Sequence, residues 1–268
     1  MIDHHKRSTG SEIEALILDM DGVLWQDSEP IGELPAIFTS IRKKGLKFAF
    51  VTNNATISAD QCVEKLSRFG VEAERDQVIN SAQATAEYLK KIYPHGGPVY
   101  VLGEAGLLNT LADYGFHQSD REPLAVVSGL DRDLTYDKLR RATLFILRGS
   151  IFIGTNPDST LPTPEGAIPG AGSILAALEV ASGCRATVIG KPHPEMYRLA
   201  LSRLDSSPEK TLVIGDRIET DIFGGQQIGC QTALVLSGVT TETTARSWQP
   251  PPTFIAPDLT SLLSEYLE

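Results

Sequence analysis

The chain has 268 residues, 41% of them hydrophobic, and a formal net charge of −10. That is ample material for a large core, and the sign of the charge argues against nucleic acid or an anionic membrane as partner. Three scattered cysteines (Cys62, Cys184, Cys230) exclude a disulfide framework, and the absence of a secretory leader or membrane-length apolar run points to a cytoplasmic protein with reduced thiols.

In chain order, MIDHHKRSTG reads as a polar terminus, with adjacent His4 and His5 more suited to a frayed end than to metal capture. Beyond it, β-branched and leucine-rich runs predict strands at 14–19, 46–52, 98–102, 124–127, 150–153, 186–190, 211–215, 231–236 and 252–255. Amphipathic stretches of helical length separate them. LPAIFTSIRKKG ends at Gly45, and SADQCVEKLSRFG opens with Ser58 as a cap and closes at Gly70. The triplet PPP at 250–252 marks a stiff connection before the last strand and helix. This alternation is the pattern of an α/β fold, a doubly wound and mainly parallel sheet.

Several predicted strands end in polar residues. LIL runs into Asp19, FAFV into Thr52 and Asn53, TVIG into Lys191, and LVIG into Asp216. In an open parallel sheet, side chains just past the carboxyl ends of neighbouring strands converge on one crevice. The 139 residues from Thr52 to Lys191 far exceed one βαβ unit of roughly 30. An inserted α/β domain is therefore expected over 84–186, between core segments 12–83 and 187–268.

Asp19 and Asp21 flank one residue and precede Gly22, a pattern common in turns and calcium loops. A calcium loop would continue with further oxygen ligands, whereas this one continues into Val23, Leu24 and Trp25. With Lys191 and Asp216 the pair suits a hard cation, Mg²⁺, bridging carboxylates and a substrate phosphate. Cation and ammonium would shield the phosphoryl group so that Asp19 can attack it, while Asp21 protonates the leaving alkoxide and later deprotonates water.

DMDGVLW, FVTNN, GKPHPEMY and GDRIETDI, in this order and spacing, resemble the four motifs of the haloacid dehalogenase superfamily of phosphohydrolases. LDRDLTY, IFIGTNPD and PTPEGAIPGAG further resemble its NagD-like, or p-nitrophenylphosphatase-like, branch, whose large α/β cap lies between the second and third motifs. The resemblance implies a phosphatase in which Asp19 is nucleophile and metal ligand, and Asp21 is acid/base and a metal ligand through its carbonyl. It also implies that Thr52 and Asn53 bind the phosphoryl group, that Lys191 neutralises it, that Asp216 completes the metal site and that Asp221 supports it. A phosphomutase would use the same core, and a receiver-like or idle phosphate-binding protein is the alternative from another class.

The 84–186 segment must offer polar groups to the rest of the substrate, which makes Asn156 and Asp158 specificity candidates. Asp131 is a weaker candidate of the same kind, Thr155 suits an ordinary turn, Trp25 suits packing, and His193 suits a structural or substrate-proximal place, the chemistry being complete without it. The expected partner is a small phosphorylated metabolite, with the protein a monomer or homodimer.

Overall fold

The computed structural model describes residues 13–26, 28–163 and 165–266; His4 and His5 lie outside them. Its central element is the four-residue strand Ala15–Leu18, buried throughout because it has a parallel neighbour on each side and apolar layers above and below. Alternation sends Ala15 and Ile17 to one layer and Leu16 and Leu18 to the other. The second layer is dominated by aromatics: Phe38, Phe48 and Phe50 pack with ring centroids 5.2–5.6 Å apart.

Six parallel strands form this sheet, in the spatial order Phe254–Ala256, Gln231–Val235, Thr211–Gly215, Ala15–Leu18, Lys47–Thr52, Val78–Asn80. The order reverses at Ala15–Leu18, the switch point at which such sheets open a crevice. Asp19 and Asp216 follow the two strands that meet there. A second parallel sheet runs Thr187–Val188, Ile151–Gly154, Ala125–Ser128, Gly97–Leu102, Phe116–Gln118. One apolar cluster joins the sheets, from Ile17 and Val51 through Ala82, Ala86 and Leu89 of the helix Ser81–Ile92 to Val99 and Val127.

The helix boundaries follow their caps. Ser58 accepts a hydrogen bond from Gln61 N at 3.2 Å while Gln61 Oε1 accepts one from Ser58 N at 2.8 Å, a reciprocal capping box. Gly70, at φ +70°, ends that helix in the left-handed conformation that disfavours a Cβ.

The strand expected at 186–190 requires correction. Only Thr187–Val188 is extended, and it pairs with Ile153–Gly154 in the second sheet rather than with the strands around Asp19. Lys191 thus reaches the crevice from a different sheet. The last core strand lies at Phe254–Ala256 rather than 252–255, the prolines before it lacking N–H donors for a ladder. Strands at Val78–Asn80 and Phe116–Gln118, and the two-stranded pairings of Trp25–Gln26 with Glu29–Pro30 and Thr160–Thr163 with Gly166–Pro169, were not anticipated. They are too short for alternation to register.

Cys62 and Cys230 are buried and Cys184 is exposed, and all three are free thiols. No helix among the described residues is long and apolar enough to cross a membrane. Phe50, wholly buried between Phe38 and Phe48, supplies a test of the core: Phe50→Ala is expected to cost about 3–5 kcal/mol of unfolding free energy in urea, whereas a loss below about 1 kcal/mol would mean that the aromatic layer repacks.

Candidate active site

A cavity of about 380 Å³ opens at the carboxyl edge of the first sheet and is roofed by the second. Asp19, Asp21, Thr52, Asn53, Lys191 and Asp216 line its floor, with Asn156 and Asp158 across from them. Asp221 lies behind Lys191, 1% exposed, and His193 stands outside the lining at the N-cap position of the helix Pro194–Leu204.

Lys191 is the centre of the arrangement. Its side chain is 4% exposed, and Nζ lies 2.8 Å from Asp19 Oδ1, 2.7 Å from Asp221 Oδ1 and 3.0 Å from the Val51 carbonyl. Three acceptors match the three protons of an ammonium. Burial alone would lower the pKa of this group, but Asp19 and Asp221 reverse that and hold it above the ordinary lysine value.

Asn53 explains how a residue from the other sheet is delivered here. Its Oδ1 accepts from Lys191 N at 2.8 Å and its Nδ2 donates to Lys191 O at 3.1 Å, so one amide clamps both main-chain groups of the lysine. The same Nδ2 lies 3.1 Å from Asp158 Oδ2, and the Asn53 carbonyl accepts from Asn156 Nδ2 at 2.9 Å and from Ser81 Oγ at 2.7 Å. Asn156 and Asp158, expected to face substrate, therefore also bind the two halves of the molecule together. Burial pushes the Asp158 carboxyl above its usual range, against the pull of the Asn53 hydrogen bond.

The acids differ by partner. Asp216 Oδ2 accepts from Val239 N at 2.7 Å, whereas its Oδ1 is buried with no hydrogen-bond partner among the described residues. Gly22 and Gly238 press on this carboxylate so closely that a Cβ on either would collide with it. Burial, and then Asp19, raise its pKa to about 6. Asp221 has both oxygens engaged, Oδ1 by Lys191 and Oδ2 by Arg217 N at 3.1 Å; burial raises it to about 7 despite Lys191, with Asp19 and Asp216 adding to the rise. It sits in a π-helical turn, Ile218–Ile222, a distortion frequent at functional sites.

Carboxylate oxygens of Asp19, Asp216 and Asp221 lie within 4.8 Å of one another. The Asp21 carboxylate stands outside that cluster and accepts instead from Trp25 Nε1 at 2.8 Å. Burial, followed by Asp19, raises its pKa, with the Trp25 hydrogen bond opposing. Sequence reasoning missed the roles of Trp25, Val239 and Gly238. The last two could have been flagged, since LVLSGV repeats the pattern of an apolar run reaching the carboxyl edge of the sheet.

A doubly wound sheet with acids at its switch point, a buried lysine between two of them and a second α/β unit over the crevice defines a class of hydrolase. Family models for haloacid dehalogenase-like hydrolases match residues 16–117, and HAD-hydrolase-like models match 188–262. An acid sugar phosphatase of Staphylococcus saprophyticus is 35% identical over 253 residues, covering 94% of this chain and 97% of its own length. Among solved structures, p-nitrophenyl phosphatase from Archaeoglobus fulgidus superposes with a TM-score of 0.90 at 32% identity, covering 95% of this chain and 99% of that one. NagD from E. coli K-12 does so at 0.85 and 32%, covering 93% and 98%. The chain belongs to the haloacid dehalogenase-like hydrolases, in their NagD-like branch, and is an enzyme that hydrolyses phosphoric monoesters.

Replacing Lys191 by Met would leave Asp19 and Asp221 buried without their cation. Lys191→Met is expected to lower the unfolding free energy by about 3–5 kcal/mol in urea; an unchanged midpoint would show that the two acids shed their charge on folding at little cost.

Proposed function

We propose that this phosphatase hydrolyses small phosphate monoesters through an aspartyl-phosphate on Asp19, with Mg²⁺ held between Asp19, Asp216 and the Asp21 carbonyl. The observation that carries the reading is the Oδ1 of Asp216, buried beside Asp19 with no hydrogen-bond partner among the described residues. A buried carboxylate oxygen without a donor is costly, and an all-oxygen set with a free anionic ligand suits a hard divalent cation. Asp221, with one oxygen on Lys191 and the other on Arg217 N, is assigned to holding the lysine rather than the cation. When bound, the cation supplies positive charge that neutralises the phosphoryl oxygens.

The residues of the chain do the rest. Lys191 fixes Asp19 Oδ1, and Asp19 Oδ2, which accepts no hydrogen bond among the described residues, attacks phosphorus. The Thr52 hydroxyl and the turn at Asn53 receive the phosphoryl oxygens. Asp21 gives its proton to the departing ester oxygen and then takes one from the water that cleaves the aspartyl-phosphate. The 84–186 segment acts as a cap, and the cavity of about 380 Å³ beneath it suits a metabolite rather than a phosphoprotein. Thr160 and Thr163, which also line the cavity, add hydroxyls suited to a polyhydroxylated substrate such as a sugar phosphate, in keeping with the acid sugar phosphatase relative.

Phosphate release from a panel of sugar, nucleoside and aryl monoesters, with Mg²⁺ and with chelator, tests this. Release lost on chelation, and reduced at least about 10³-fold by Asp19→Asn, is expected; no release from any ester would return the protein to a phosphate-binding role. Gly238→Ala, which forces Asp216 to move, is expected to raise the Mg²⁺ concentration for half-maximal activity by about tenfold or more, as read by metal titration. An unchanged titration would remove Asp216 from the metal site.

A further inference from the structure

Trp25 is 2% exposed and has a single polar atom, which a buried indole must satisfy. Of the acceptors near this turn it takes the Asp21 carboxylate, with Nε1 2.8 Å from Oδ1. The arrangement is built by the backbone. Gly22, at φ +82°, turns the chain, Gly22 N donates to the Trp25 carbonyl at 2.8 Å, and Asp21 and Trp25 form a β-bridge. The indole is fixed from its other sides by Phe69, at a centroid distance of 5.5 Å, and by the Lys65 ammonium 4.1 Å from the ring centroid. Both contacts constrain the ring plane, and hence the direction of the N–H.

We infer that Trp25 is a positioning residue for the proton-transfer step: by holding Oδ1 through its N–H it fixes the orientation of the Asp21 carboxyl group and leaves Oδ2 as the oxygen open to the scissile ester. This inference rests on the acid/base reading of Asp21. Asp21 lines the cavity, and its Oδ2 accepts no hydrogen bond among the described residues. As Asp19 forms its bond to phosphorus and the P–O bond to the leaving group breaks, the proton on Oδ2 passes to the departing ester oxygen. In the second half Oδ2 receives a proton from water as the water oxygen bonds phosphorus and the Asp19–phosphorus bond breaks. The carboxyl group needs no rotation between the two halves.

The test separates leaving groups. An alkyl phosphate such as glycerol phosphate needs a proton on its departing oxygen, whereas p-nitrophenyl phosphate releases a stabilised anion and needs little help. Trp25→Phe retains the aromatic packing and removes the N–H. It is expected to lower kcat/KM about tenfold for the alkyl ester and less than about twofold for the aryl ester. Where Phe is poorly tolerated, benzothienylalanine at position 25 replaces the N–H by sulfur in the same bicyclic frame and is expected to give the same selective loss. Equal losses on both esters, or no loss on either, would overturn the positioning role. Asp21→Asn, measured alongside, identifies which premise failed: if it too slows both esters equally, the acid role of Asp21 falls and the inference with it, whereas a leaving-group-selective Asp21→Asn beside a non-selective Trp25→Phe sinks the tryptophan role alone.

Discussion

The site depends on a buried ammonium that has found three acceptors. Taking the Lys191 charge out of water is costly, and the cost is offset only where oxygens are already in place to receive it. Those oxygens come from three separate segments: Asp19 after the first strand, the Val51 carbonyl within the second, and Asp221 in the turn after Thr211–Gly215. The lysine therefore reports the correct register of the central strands. Its main chain is clamped by Asn53, so the second sheet, which delivers Lys191, is held to the first at the same point.

Around that charge the four acids of the crevice are distinguished by what each touches. Asp19 shares the ammonium; Asp221 shares it and accepts from Arg217 N; Asp216 keeps one oxygen on Val239 N and one without a partner among the described residues; Asp21 accepts from an indole. Four identical functional groups thus stand in four different surroundings. Burial raises the proton affinities of Asp21, Asp216 and Asp221, and the charge of neighbouring Asp19 adds to each rise.

The joint between the sheets has the same economy. Asn53 contacts Lys191, Asp158 and Asn156 together, so residues at the tip of the second sheet are tied to the residue that follows Thr52. A substrate entering the cavity meets groups whose orientation is set from both sides. On the proposed reading, such preorganisation limits the reorganisation needed when charge develops on the phosphoryl group.

Much of this was legible in the chain itself. Apolar runs ending in Asp19, Thr52 and Asp216 marked parallel strands and a shared crevice, because buried strands need continuous apolar residues and because polar groups collect where such strands end. The distance from Thr52 to Lys191 required an insertion, and the capping residues Ser58 and Gly70 marked helix ends, since these are local effects of spacing and backbone freedom. Only the tertiary structure decided that the strand before Lys191 belongs to the second sheet, that Asn53 clamps the lysine backbone, and that Trp25 turns onto Asp21 rather than merely filling space. Those are choices among partners distant in sequence or brought together by a turn. Each depends on a three-dimensional distance and a donor's direction, which residue types and periodicity do not encode.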